Sequence, residues 1–211
     1  MSFAPIETDR LRIRAFVPAD WPAVHAYAAD PATMAYLPPG ALDEDQSRAF
    51  VAENAGDDAR ALALTRKPAD RPIGHLVFHP WFAHRTLEIG WVLHERFRGQ
   101  GYATEGAHAL LRHAFETLGL HRVIATCQPE NVASYRVMEK LGMRREGHFR
   151  QCIYRDESTW WDEYFYAILA EEWFRFPPPV SGRSPGAATP SKPGRPPAPS
   201  SASRRNRAAS P

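Results

Sequence analysis

Residues 95–106, ERFRGQGYATEG, place three glycines and two arginines directly before an apolar helical pattern. The first amides of a helix have no intrahelical acceptor and carry partial positive charge, so they attract anions. Glycines let the backbone approach a phosphate without an intervening side chain, and Arg96 and Arg98 add positive charge. This stretch therefore predicts a phosphate-binding loop at the start of a helix.

The loop lacks the signatures of the common nucleotide-binding motifs. No lysine follows the glycines, which argues against GxxxxGK[ST] and nucleoside triphosphate hydrolysis. The GxG at Gly99–Gly101 continues to Ala103 and Thr104 and does not complete GxGxxG. Since a lone GxG can also be a tight turn, the loop alone does not name its ligand.

Glu88 lies in the segment LEIGWVL, immediately before this loop. Strand alternation places Leu87, Ile89 and other apolar residues on one face and Glu88 on the opposite face with Gly90. Without further information, this pattern predicts a solvated or ion-paired strand residue. At Gly90 the sequence allows either a β-bulge or close packing.

Asn131 and Ser134 open the helical segment NVASYRVMEKLG. Asn131 is predicted to be its N-cap, and Gly142 its C-terminal stop. Ser134 stands three residues later, where its side chain would support the cap.

The elements that position these residues follow from hydrophobic periodicity. The predicted order is β-α-α-β-β-β-α-β-α-β-β, with Asp20 as the N-cap of the first helix and one continuous helix over 104–118. The strands before and after that helix must pair in parallel because a helical crossover joins them, whereas hairpin connections make the others antiparallel. We expect a single mixed α/β domain over residues 1–176.

Residues 177–211 differ in composition from the rest of the chain. They contain ten of the 20 prolines and six basic residues without an acid, which leaves a formal charge of −4 on residues 1–176. Such a segment cannot bury a core, so we predict a disordered, basic, Pro-rich tail. The alternatives are a weak contact with nucleic acid or an acidic surface, and a solvated tail with no specific role.

Other classes of protein are disfavoured. No apolar run approaches the ~20 residues of a membrane span, and the N-terminus has no signal-peptide pattern. Cys127 and Cys152 form no CxxC pair, and the nine histidines form no HExxH, so we expect no metal and a cytoplasmic location. Cys127 and Cys152 are predicted to be packing residues.

Taken together, these motifs resemble the GNAT superfamily of N-acetyltransferases. Residues 98–103, RGQGYA, match its [Q/R]xxGx[G/A] signature. The surrounding segments, from LEIGWVL to the final WWDEYFYAIL, resemble the RimJ/RimL-type ribosomal-protein N-terminal acetyltransferases over about residues 6–175. The resemblance implies a mostly antiparallel sheet with one splayed parallel strand pair, helices on both faces, and acetyl-CoA as co-substrate.

The resemblance also assigns roles to residues. It implies Glu88 as general base and Ser134 as a hydrogen-bond donor to the leaving sulfur, since Met138 occupies the position of the tyrosine that many superfamily members use as general acid. The backbone near Gly90 would bind pantetheine and polarise the acetyl carbonyl. The amides of Arg98 through Ala103 would hold the diphosphate. The implied cofactor-binding residues are Trp91, Val92, Leu93, Arg98, Gly99, Gln100, Gly101, Tyr102, Ala103, Thr104 and Asn131.

The predicted reaction is therefore acetyl transfer from acetyl-CoA to a primary amine. A protein N-terminal α-amine is the first expectation, and a small-molecule amine of aminoglycoside or polyamine type is the second. A non-catalytic acyl-CoA-binding module is the third. The chain could act as a monomer or a homodimer.

Overall fold

The computed structural model describes residues 3–56, 59–81 and 83–175. The predicted tail and its boundary at residue 176 lie outside these ranges. Eight strands form one sheet in the order β1-β2-β3-β4-β5-β6-β8-β7. The strands are β1 Ile6–Glu7, β2 Leu11–Arg14, β3 Ala61–Arg66, β4 Arg71–Pro80, β5 Thr86–Leu93, β6 Arg122–Cys127, β7 Arg144–Asp156 and β8 Thr159–Leu169.

The sheet is antiparallel except between β5 and β6, as predicted. These two strands pair only over Thr86–Glu88, and beyond Glu88 they diverge. On its other edge β5 pairs with β4 in unbroken register, with Gly90 opposite Val77. The bulge considered at Gly90 is therefore wrong. A Cβ there would lie 3.4 Å from that of Val77, so Gly90 is a close-packing residue.

Helices cover both faces of the sheet, because alternate strand residues are apolar on both sides. Leu62 and Leu64 pack with the face that carries α3 and α4, whereas Ala61 and Ala63 pack with α1 and α2. The helices are α1 Trp21–Ala28, α2 Glu44–Glu53, α3 Tyr102–Arg112, α4 Val132–Lys140 and α5 Ala170–Arg175. None of the helices described here is long and apolar enough to cross a membrane.

The helix predicted over 104–118 is not one continuous α-helix. α3 ends at Arg112 and a π-helical turn follows over His113–Thr117, so that the Leu118 amide donates to the His113 carbonyl. Periodicity alone does not distinguish this widened turn, since Ala114 and Phe115 remain buried in it. Gly119, at φ +60°, ends the segment as predicted.

Asp20 is not the side-chain cap of α1. A short 3-10 helix, Pro18–Asp20, precedes α1, and no side-chain hydrogen bond caps the α1 N-terminus. The Asp20 carboxylate instead accepts from the Val17 amide at 2.9 Å and from Arg14 Nη1 at 2.7 Å. A buried charged partner in the preceding strand satisfies this carboxylate better than the helix amides do.

Candidate active site

A cavity of about 1310 Å³ opens where β5 and β6 diverge. Its wall is completed by the loop over residues 30–42, the N-termini of α3 and α4, and the β7–β8 hairpin. Every predicted site residue except Gln100 lines it. These lining residues are Glu88, Trp91, Val92, Leu93, Arg98, Gly99, Gly101, Tyr102, Ala103, Thr104, Asn131 and Ser134.

The glycine loop presents a row of free amides to the cavity. Gly99 at φ +74° and Gly101 at φ +82° adopt the left-handed conformation, and Gly101 is the N-cap of α3. Across the described part of the chain, none of the amides of residues 99–104 has a protein acceptor. With the helix N-terminus behind them, these amides fit a diphosphate.

Two residues of the loop depart from the predicted roles. The Arg98 amide is already bonded to the Glu95 carbonyl at 3.0 Å and is not available to a phosphate. The Gln100 side chain turns away from the cavity, and its Nε2 donates to the Arg96 carbonyl at 2.9 Å. The free-amide cradle therefore begins at Gly99.

The Arg98 guanidinium connects the cradle to the loop over residues 30–42. Its Nε donates to the Leu93 carbonyl at 3.2 Å and its Nη2 to Thr33 Oγ1 at 2.7 Å. Thr33 Oγ1 in turn donates to the Asp30 carboxylate at 2.5 Å. Arg98 thus has a structural role as well as a position on the cavity wall.

Arg10 and Glu105 support the cradle from behind, and the sequence did not reveal them. The buried Glu105 carboxylate accepts from Arg10 Nε at 2.6 Å and from Thr8 Oγ1 at 2.6 Å. Arg10 Nη1 reaches on to the Gln100 carbonyl at 3.1 Å. The one sequence signal for this contact was an acidic residue, Glu105, in the first turn of α3. Its partner Arg10 lies 95 residues away along the chain and could not be inferred.

Glu88 lies at the point of divergence between β5 and β6. Burial raises the pKa of its carboxyl above the ordinary glutamate value, and the like charge of Glu163 acts in the same direction. Thr126 Oγ1 donates to Glu88 at 3.3 Å, and His79 Nε2 lies 3.8 Å from its Oε2. A carboxylate with a raised pKa, partly shielded from water, is suited to accept a proton near neutral pH.

The β5 backbone beyond Glu88 has one edge open to the cavity. The His94 amide donates to Ile73 of the neighbouring segment, and a Cβ on Gly74 would lie 2.1 Å from the Val92 carbonyl oxygen. Val92 therefore points its backbone groups toward β4, and alternation points those of Trp91 and Leu93 toward the gap. The Leu93 carbonyl is taken by Arg98, which leaves the Leu93 amide and both groups of Trp91 for a ligand.

Ser134 faces the cavity from the first turn of α4. The Asn131 side chain accepts from the Ser134 amide at 3.3 Å, which confirms Asn131 as the N-cap. The Ser134 hydroxyl contacts the Cys127 thiol, whose pKa burial raises to about 11, which favours the protonated thiol at neutral pH. Met138 is buried, and Tyr135 packs against Tyr164 instead of lining the cavity.

Aromatic and cationic side chains form the far end of the cavity. Trp161 faces Tyr36 at 6.1 Å between ring centroids, and the Arg155 guanidinium stacks 4.0 Å from the Trp161 ring. Arg155 Nη1 also donates to the Ala35 carbonyl at 3.3 Å, which ties the β7–β8 hairpin to the loop over residues 30–42. Of the two adjacent tryptophans, Trp161 lines the cavity and Trp160 is half exposed. Within residues 3–56, 59–81 and 83–175, no three His, Cys, Asp or Glu side chains gather as metal ligands.

Comparison with known proteins agrees with this geometry. The profile of the family described as "Acetyltransferase (GNAT) domain" matches residues 10–144. The "Uncharacterized N-acetyltransferase YnaD" of Bacillus subtilis is 50% identical over 168 residues, which cover 80% of this chain and 98% of that protein.

Solved structures share the fold. An acetyltransferase of the GNAT family from Bacillus anthracis superposes with a TM-score of 0.77 at 48% identity, covering 80% of this chain and all of that one. RimL, described as a ribosomal L7/L12 α-N-protein acetyltransferase in complex with coenzyme A, superposes with a TM-score of 0.70 at 23% identity, covering 79% of this chain and 98% of that one. The latter likeness extends to the fold alone. This chain belongs to the GNAT family and is an acetyl-CoA-dependent N-acetyltransferase.

Proposed function

We propose that the enzyme acetylates a protein N-terminal α-amine, as the RimJ/RimL-type enzymes do, with Glu88 as the general base. The observation that carries the proposal is one continuous cavity that has the free amides of residues 99–104 at one end and the raised-pKa carboxyl of Glu88 at the point of strand divergence. Acetyl-CoA bound at the amides would place its thioester beside the open edge of β5.

The residues then divide the reaction among them. The amides of residues 99–104 hold the diphosphate, and the β5 backbone at Trp91 and Leu93 binds the pantetheine and the acetyl carbonyl. The amine nitrogen attacks that carbonyl, its proton passes to Glu88, and the bond from carbon to sulfur breaks. Ser134 donates a hydrogen bond to the departing sulfur from the start of α4.

An α-amine suits a site of this kind. Its pKa of about 7.7–8.0 leaves a substantial neutral fraction at physiological pH, whereas a lysine side chain near 10.4 is almost wholly protonated. A single partly buried carboxyl can therefore complete the deprotonation of the α-amine. The cavity exceeds the ~300–1,000 Å³ of an ordinary ligand pocket, which leaves room for the end of a peptide beside the cofactor.

A thiol-release assay with acetyl-CoA and a panel of acceptors tests the proposal. The panel pairs peptides bearing a free N-terminus with the same peptides blocked at the N-terminus, and adds a polyamine and an aminoglycoside. We expect release of coenzyme A only with free N-termini. Turnover with the small amines and none with any peptide would assign the enzyme to the second class of acceptor.

A ribosomal substrate gives the basic tail a testable role. We propose that residues 177–211 strengthen association with ribosomes in the cytoplasm through their six basic side chains. Removal of the tail should then weaken ribosome co-sedimentation at low salt and have no effect at high salt. Equal co-sedimentation with and without the tail at low salt would exclude this role.

A further inference from the structure

Glu88 belongs to a polar row that crosses four strands on one face of the sheet. His79 on β4 lies directly opposite Glu88 on β5. Thr126 on β6 bonds to Glu88 and pairs with Phe165, which shares its face of β8 with Glu163 two residues away. The groups that face the Glu88 carboxyl are therefore His79 from β4, Thr126 from β6 and Glu163 from β8.

The orientation of the His79 ring is fixed by its backbone neighbour. Its Nδ1 lies 3.2 Å from the Pro80 carbonyl oxygen, which can only accept a hydrogen bond. Nδ1 must therefore carry a proton, and in the neutral ring Nε2 presents its lone pair to Glu88 Oε2 at 3.8 Å. A side-chain rotation that shortens this separation by about 1 Å would bring the two atoms to hydrogen-bond distance.

The ring also has access to water. The His79 side chain is 30% exposed, whereas that of Glu88 is 19% exposed. A proton taken up by Glu88 in the interior of the cleft would thus find an acceptor that is closer to solvent. None of the described acids other than Glu88 forms an ion pair with His79.

We propose that His79 is the positioning and proton-relay residue for Glu88, which rests on the proposed role of Glu88 as base. After the amine proton reaches the Glu88 carboxylate, the carboxylic acid passes it to His79 Nε2. The resulting imidazolium releases it to water and returns to the neutral tautomer, with Nδ1 still bonded to Pro80. Glu88 is then ionised again before the next acceptor binds.

The experiment measures kcat/KM against pH, and imidazole rescue, for His79→Ala and His79→Gln. We expect kcat to fall roughly tenfold, less than the 10²–10⁴ that a general base contributes, with the KM for acetyl-CoA unchanged. The positive charge that the ring carries once it is protonated lowers the pKa of Glu88, so both variants should move the Glu88 step of the acid limb to higher pH. Added imidazole should restore turnover of His79→Ala and leave the wild type unaffected.

Two further variants keep the result interpretable. Glu163→Gln removes a like charge that raises the pKa of Glu88, so it should move the acid limb in the opposite direction, to lower pH. His121→Gln changes an exposed histidine outside the cavity and should leave the profile unaltered. Unshifted profiles for the His79 variants, or the absence of imidazole rescue, would overturn the relay. If Glu88→Gln itself retained full turnover, the base assignment would fail instead.

Discussion

The two ends of the cavity are built on different principles. The cofactor end, residues 99–104, presents backbone amides held by glycine torsions and by a helix whose Leu110 and Leu111 are fully buried. The acceptor end, formed by the loop over residues 30–42 and the β7–β8 hairpin, presents side chains such as Tyr36, Trp161 and Arg155. A cradle of backbone amides requires particular residue types at only a few positions, mainly glycine. A wall of side chains can change its shape and charge with each residue that forms it. This difference explains why the co-substrate can be assigned more readily than the acceptor.

The largest effect is expected at Glu88, where the two ends meet. Glu88→Gln keeps the size and the Thr126 contact of the side chain and removes its basicity. We expect turnover to fall by roughly 10²–10⁴ while acetyl-CoA binding, measured by calorimetry, is retained. A parallel loss of cofactor affinity would mean that Glu88 belongs to the cofactor end and not to the chemistry.

A change in the cradle should affect only the cofactor end. Gly101→Ala places a side chain at φ +82°, a strain of about 1–2 kcal/mol that the unliganded loop relieves by leaving the cradle conformation. Binding must then restore that conformation, at a cost of roughly 5- to 30-fold in affinity. We expect the Kd for acetyl-CoA to rise by that factor and the KM for the acceptor to stay constant.

Gly56→Ala is the matched control for this change, since a Cβ at Gly56 meets nothing within 4 Å and its φ is not positive. Cofactor affinity should be unchanged in that variant. An unchanged Kd for Gly101→Ala as well would show that the diphosphate does not bind at the loop.

The smallest effect is expected at Ser134. Ser134→Ala removes the hydroxyl but keeps the amide that Asn131 caps, so α4 and cofactor binding should be preserved. Loss of one hydrogen bond worth about 0.5–1.5 kcal/mol predicts a decrease in kcat of roughly 2- to 13-fold. Steady-state kinetics with saturating acetyl-CoA measures it. An unaltered kcat would restrict Ser134 to its contact with Cys127.

The sequence predicted the parts of this site that depend on local order. Glycines at Gly99 and Gly101 before an amphipathic helix indicated the cradle. Alternation along LEIGWVL placed Glu88 on the face of β5 opposite to that of Leu87 and Ile89. The parallel pairing of β5 and β6 followed from the helical crossover between them. These features are carried by residues that are neighbours along the chain.

The remaining features depend on pairing across the sheet. The contact between Arg10 and Glu105 joins residues 95 positions apart, and His79 faces Glu88 only because of the β4–β5 register. Hydrophobic periodicity carries no information about either contact. The π-helical turn after α3 was missed for a related reason, because its buried residues satisfy the helical pattern as well.

The central claim, that Glu88 accepts the amine proton in a cleft shared with acetyl-CoA, is tested most directly by the pH dependence of kcat/KM in the wild type and in Glu88→Gln. In the wild type we expect log kcat/KM to fall with decreasing pH through two groups, the acceptor α-amine at about 7.7–8.0 and the Glu88 carboxyl at a pKa above the ordinary glutamate value of about 4.3, because only the neutral amine and the ionised carboxyl react. The acid limb should therefore steepen from a slope of about one to about two below the pKa of Glu88, whereas in Glu88→Gln the slope should stay at about one. The same steepening in both enzymes would contradict the assignment of Glu88 as the base.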